Sequence, residues 1–267
     1  MRIIRYLAQK GDIRYAAEQA GGRCFDLSGD IFRTFEITDR ESKMVKILAP
    51  IEPRVILCIG LNYRKHAEET GGKIPERPVL FLKGPNTLQN PGDPIVLPTK
   101  LKSDEVDYEC ELAVVLGREC KNVSRAQALD YVLGYTAAND VSARDWQRRL
   151  GGGQFCRGKG FDTFAPLGPA IVTKDEIANP NALHIETRVN SQTRQSSNTA
   201  DMLFDVPTLI EFLSGSTTLY PGTVILTGTP QGVGMAMNPP QYLKQGDFVE
   251  IEIEKIGVLS NPVVEEE

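Results

Sequence analysis

Short apolar runs, interrupted by glycine, proline and charged residues, set the rhythm of this chain, and long helical stretches are scarce. Residues 55–60 (VILCIG) and 79–83 (VLFLK) are apolar runs of strand length. Residues 109–117 (ECELAVVLG) begin polar and become fully apolar, the pattern of a strand entering a core. Residues 134–140, 185–190, 224–227 and 249–253 read as further strands. Helices are few. Residues 64–69 carry good helix formers ahead of a Gly71-Gly72 stop, 124–133 suits a helix, and 207–213 (PTLIEFL) is a short helix with proline in its first turn. The stretch 84–98, rich in Pro, Gly and Asn, predicts a long irregular connection, and Gly151-Gly152-Gly153 a flexible loop. Within the first 50 residues, partial alternation at 2–7 and turn chemistry at Gly21-Gly22 and Ser28-Gly29-Asp30 predict short strands and turns. The character changes around Ile51-Glu52-Pro53, which places a soft boundary there: a small N-terminal region, 1–50, and a main domain, 51–267. Many short strands with few helices point to an α+β fold that is mainly β. A doubly wound parallel sheet is disfavoured because strands and long helices do not alternate.

Composition narrows the function classes. The 267 residues include 35 acidic and 30 basic side chains, a formal charge of −5, with a sequence pI near 5.3. That balance argues against a nucleic-acid partner, which calls for clustered positive charge. No apolar stretch is long enough to span a membrane and the first residues mix charges throughout, so the expectation is a soluble cytoplasmic protein with no membrane partner. A mitochondrial matrix address remains an alternative if a leader has been removed. The five cysteines are odd in number and contain no C-x-x-C pair, so buried free thiols are expected rather than a disulfide framework or a thiolate zinc site. The two histidines, His66 and His184, exclude a histidine-built metal centre, leaving carboxylates to bind any metal.

Those carboxylates are spaced suggestively. Glu109 and Glu111, two apart on a predicted strand, share one face. Side by side near a core they repel, and a hard divalent cation with oxygen ligands would resolve the repulsion. The spacing alone favours the plainer reading of an exposed face on an amphipathic strand. Asp140 ends a small-residue strand and is either a buried acid needing a partner or a helix N-cap. Lys159, between two glycines, is either accessible to a bound anion or a solvated loop lysine. His66 and Glu69 lie three apart in a predicted helical turn and can meet, which would fix the imidazole tautomer and strengthen the other nitrogen as a base, although the pair alone favours the plainer reading of a surface or capping histidine.

Five segments occur in one order: N-Y-x-x-H-x-x-E (62–69), E-x-E-L (109–112), D-V-S-A-R-D-x-Q (140–147), G-K-x-F-D (158–162) and T-G-T-P-x-G-V-G (227–234). Together they resemble the fumarylacetoacetate hydrolase superfamily over about residues 55–260. Residues 159–173, 196–199 and 243–247 carry a stronger likeness to its domain-containing protein 2 branch. The resemblance implies a mixed β-roll or β-sandwich catalytic domain behind the small N-terminal region, usually as a homodimer. It implies that Glu109, Glu111 and Asp140 hold Mg²⁺ or Mn²⁺, with Ca²⁺ an alternative, and that His66 and Glu69 form a catalytic dyad on a mobile lid. Lys159 is implied as catalytic, Gln147 and Thr229 as substrate contacts, and Lys83 as a further contact for a substrate carboxylate. The first 50 residues match no motif of the family.

The implied substrates are small 2-oxo or 2,4-dioxo acids reacting through an enolate. The first expectation is hydrolysis of a C–C bond in an acylpyruvate or fumarylacetoacetate-like substrate. Keto–enol tautomerisation or decarboxylation of oxaloacetate uses the same site and is the alternative. A non-catalytic binding protein is the weaker third reading.

Overall fold

The computed structural model describes residues 1–267. Its strands form a large mixed sheet of 12 strands and a second sheet of five, with a separate two-stranded ladder. Strand Cys110–Leu116 runs through the middle of the large sheet and is buried along its whole length. It pairs antiparallel with Val132–Asn139 on one side and Thr223–Leu226 on the other. Alternate residues serve two cores. Leu112 and Val114 join a cluster with Ile185, Val249 and Ile251 of the second sheet. Ala113 and Val115 join a cluster with Ile3, Leu167 and Ile171 on the opposite face. Burial on both faces explains why the run is uninterrupted rather than alternating.

Beyond Thr223–Leu226 the sheet continues with Val55–Gly60 in parallel and ends on Val79–Lys83. On the other flank, Val132–Asn139 pairs with Ala165–Thr173, and that strand pairs with Arg2–Ala8. The five strands of the first 50 residues therefore extend the same sheet. The change of character near residue 50 is a change in sequence pattern, and the sheet and its core run across it.

Three α-helices complete the frame. α1 (Arg64–Thr70) ends on Gly71 in the left-handed conformation, as the Gly-Gly stop predicts. α2 (Phe155–Lys159) is a single turn. α3 (Val206–Ser214) has Pro207 in its first turn, is capped by Asp205 and buries Val206, Leu209, Ile210 and Leu213. Two expectations change. Residues 124–133 form a 3₁₀ helix, Arg125–Tyr131, because the chain runs directly from it into the strand that begins at Val132. The connection 84–98 contains two short strands, Leu88–Gln89 and Ile95–Leu97, too brief to register as periodic, which pair with Ala165–Pro166 and Val263–Glu265. All five cysteines are free. Cys58, Cys110 and Cys120 are buried, Cys24 is half-buried and Cys156 is exposed. No helix is long and apolar enough to cross a membrane.

Ile3 lies fully inside the core that joins the N-terminal strands to the central sheet. Ile3→Ala should cost about 2–5 kcal/mol, read as a lower denaturant midpoint in one cooperative transition. A separate early transition for the N-terminal strands would show instead that they fold as their own unit.

Candidate active site

The site forms where the paired central strands end. Cys110 opposes Asn139, and the ladder is extended by the Asp140 N–H donating to the Glu109 carbonyl at 2.9 Å. Opposed residues of antiparallel strands project to the same side. Glu109, Glu111 and Asp140 therefore converge, with one oxygen from each within 4.8 Å of the others. All three are buried, which removes the exposed-face reading of Glu109 and Glu111, and the strand Ser142–Ala143 that follows Asp140 removes its N-cap reading.

Burying this much charge demands counter-charge. The Lys159 ammonium donates to Glu109 Oε2 and Asp140 Oδ2, both at 2.8 Å, and to Ser142 Oγ at 2.6 Å. Lys159 closes α2 and is buried, so it is no solvated loop residue. Burial opposes its charge, but Asp140 and Glu109 together raise it above the ordinary lysine value. Arg144 spans two acids: its Nε donates to Asp107 Oδ2 at 2.9 Å and its Nη1 lies 2.7 Å from Glu109 Oε1. Burial pushes the Glu109 carboxyl up, but the Lys159 and Arg144 cations overcome it and hold it well below the usual carboxylate range.

Lys83 does not occupy the place expected for a substrate contact. Its side chain is fully buried behind Asp140, 2.8 Å from Oδ1, and it donates to the carbonyls of Val141, Lys159 and Phe164. With those partners it has no donor to offer a substrate. Its role here is to neutralise Asp140 and tie three segments together.

Glu111 has no cationic side chain bonded to it; its Oε2 accepts the Gly228 N–H at 2.7 Å. Burial, then the Asp140 and Glu109 charges, push its carboxyl well above the usual range, with Lys159 and the Gly228 N–H relieving this only in part. The cluster thus sets four carboxylates, Asp107 included, against Lys83, Arg144 and Lys159. A buried all-oxygen triad with surplus negative charge fits a hard divalent cation such as Mg²⁺ or Mn²⁺.

His66 and Glu69 meet, as their spacing predicts. His66 Nδ1 lies 2.7 Å from Glu69 Oε1, and Glu69 Oε2 accepts the Gly232 N–H at 2.9 Å. Helix α1 is anchored through Asn62, whose side chain donates to the carbonyls of Phe204 and Thr227 and accepts from the Phe204 N–H. Gly228 sits against it. A Cβ there would lie 2.6 Å from Asn62 Cβ, and φ of +94° favours glycine independently. His184 is exposed at the start of a strand of the second sheet and does not line this site.

His66, Glu109, Glu111, Gln147, Lys159 and Thr229 share one cavity of about 230 Å³. Gln147 accepts from Arg144 Nη1 at 3.1 Å. Thr229 Oγ1 accepts from Gln195 Nε2 at 2.8 Å, which leaves its hydroxyl proton to donate into the cavity. Sequence reasoning missed three residues. Arg144 lines the cavity with a buried, unpartnered Nη2; its signal was the helical spacing of three from Gln147. Asp107 fixes Arg144 and continues the alternation with Glu109 and Glu111. Gln195, on a distant strand, gave no local signal.

The raised Glu111 carboxyl has a sign. Its stability contribution is full below the pH where an unfolded carboxyl ionises, and is lost as pH rises through the higher folded value. Melting of metal-free protein between about pH 5 and about pH 8 should show wild type losing stability relative to Glu111→Gln. Mg²⁺ should stabilise wild type most at the upper end and leave Glu111→Gln unmoved. Parallel pH profiles for the two proteins would contradict this assignment.

The fumarylacetoacetate hydrolase C-terminal family model matches residues 55–264. A fumarylacetoacetate hydrolase domain-containing protein 2 homolog of Dictyostelium discoideum is 50% identical over 227 residues, covering 82% of this chain and 74% of that protein. The mitochondrial oxaloacetate tautomerase fahd2 of Xenopus laevis is 50% identical over 221 residues, covering 82% of this chain and 69% of that one. Among solved structures, a 5-carboxymethyl-2-hydroxymuconate delta-isomerase from Mycobacterium smegmatis superposes with a TM-score of 0.87 at 41% identity, covering 100% of both chains. The protein is an enzyme of the fumarylacetoacetate hydrolase family, and its likeness runs to the domain-containing protein 2 branch.

Proposed function

We propose that this enzyme interconverts the keto and enol forms of oxaloacetate, with His66 as the proton carrier. The observation that carries the reading is the shared cavity: the imidazole, held through Nδ1 by Glu69, faces the same small space as the Glu109 and Glu111 carboxylates. A cation held by Glu109, Glu111 and Asp140 would supply Lewis-acid stabilisation of the charge developing on a 2-oxo acid. Glu69 keeps the Nδ1 proton in place, so Nε2 is the nitrogen that accepts a proton from C3. The imidazolium so formed is stabilised by the Glu69 charge and returns its proton to the 2-oxo oxygen, giving the enol. The Thr229 hydroxyl is a donor on the wall for a substrate oxygen. Lys159 keeps a positive charge at the cavity floor, although its three hydrogens are bound to Glu109, Asp140 and Ser142.

Tautomerisation is preferred to hydrolysis of a C–C bond, the first expectation from sequence, because the Xenopus relative is named an oxaloacetate tautomerase. The proposal includes a homodimer and a cytoplasmic address, or the mitochondrial matrix after removal of a leader.

Acetylpyruvate, fumarylpyruvate and oxaloacetate, each with Mg²⁺, separate the chemistries when enol absorbance and cleavage products are followed together. The expected result is enol loss from oxaloacetate without cleavage. Cleavage of an acylpyruvate would select the hydrolase, and release of CO₂ with pyruvate the decarboxylase. In the same assay His66→Ala should lower turnover about 10²–10⁴-fold, with Mg²⁺ affinity retained. Unchanged turnover would remove His66 from the mechanism.

A further inference from the structure

Arg144, Gln147 and Arg148 stand at i, i+3 and i+4, and all three line the cavity. They are carried by a helical segment that widens into a π turn, Trp146–Leu150. The turn is closed by the Gly151 N–H donating to the Trp146 carbonyl at 2.9 Å. A Cβ on Gly151 would lie 2.2 Å from that oxygen, so a side chain there would break the closure. Helix α2 braces the turn from behind, where a Cβ on Gly158 would lie 2.5 Å from the Gln147 nitrogen. The backbone under Arg148 is therefore fixed, and its side chain stands at the exposed mouth of the cavity.

Charge pairing separates Arg148 from its neighbours. Arg144 is bonded to Asp107 and Glu109, and Lys159 to Glu109 and Asp140. Arg149, next in the chain, reaches Glu105 at 2.8 Å. Of the arginine and lysine side chains lining the cavity, only Arg148 pairs with no carboxylate. The cavity thus has a carboxylate-rich floor and an uncommitted guanidinium at its mouth. Unless a cation is held there the floor acids repel an anionic group of a substrate, whereas the guanidinium at the mouth attracts one. A guanidinium there offers a planar fork matched to a carboxylate.

We infer that Arg148 binds the far carboxylate of a 2-oxo dicarboxylic acid and makes the site selective for such diacids over their monocarboxylate counterparts. This deepens the proposed function and rests on its reading of the cavity as a 2-oxo acid site. Oxaloacetate and 2-oxobutyrate form the matched pair, because they differ by a carboxylate in place of a terminal methyl.

Calorimetric titration of the Mg²⁺-loaded full chain with each acid tests the inference without relying on turnover. Wild type should bind oxaloacetate more tightly. Arg148→Ala should lose about tenfold or more in affinity for oxaloacetate and none for 2-oxobutyrate. Arg148→Lys should recover part of the loss, and Arg149→Ala should match wild type with both acids. Retention of the full preference in Arg148→Ala, or equal weakening of both acids, would overturn it. So would a wild type that does not discriminate, even one that tautomerises oxaloacetate. A wild type that discriminates through Arg148 but leaves the enol untouched would uphold the inference and refute the tautomerase reading.

Discussion

The rest of the site depends on one electrostatic demand: three carboxylates converge at the buried end of the central strands. Uncompensated charge in that position would be costly enough to prevent the arrangement. The compensation comes from separate parts of the chain. Lys83 ends the outermost strand, Arg144 follows the Val132–Asn139 strand, and Lys159 ends α2. The ammonium groups of Lys83 and Lys159 both reach Asp140, while Arg144 and Lys159 share Glu109. The fold must bring these elements to one point to be stable, and in doing so it builds the cavity wall. The compensation is nevertheless incomplete, and the surplus centres on Glu111. A site that is stable yet still short of positive charge is prepared for a cation.

A second ordering element is the glycine-rich segment after the Thr223–Leu226 strand. Its backbone N–H groups go to Glu111 through Gly228, to Glu69 through Gly232, and to Asp107 through Gly234 and Met235. One loop therefore fixes an acid of the triad, the acid of the dyad and the acid that orients Arg144. Backbone donors suit this task because they hold anions without adding another side chain to a crowded cavity. Through the contact of Gly228 with Asn62, the same loop sets where α1 leaves the sheet, and so where His66 stands relative to Glu109.

Much of this was legible in the sequence because it depends on local phase. The strands at 55–60 and 79–83 and the helix after Asn62 follow from short-range pattern, as does the meeting of His66 with Glu69. Glu109 and Glu111 share a face because a strand repeats every two residues. Where pattern failed, the segment was too short or its neighbour decided its form, as with Ile95–Leu97 and the 3₁₀ helix Arg125–Tyr131.

The amino-acid sequence by itself determined the β-rich element order, the placing of Glu109 and Glu111 on one face of a strand and the meeting of His66 with Glu69. Tertiary structure alone decided which cation serves which acid. Lys83 and Lys159 are both lysines near glycine, yet one is consumed behind Asp140 and the other reaches the cavity. Arg144, Arg148 and Arg149 lie within six residues, yet the first is buried between two acids, the last pairs outside the site and Arg148 faces the cavity unpaired. The physical reason is range. Side-chain phase is set by the nearest few residues, whereas an ion pair such as Lys159 with Glu109, 50 positions apart, exists only once the sheet has closed.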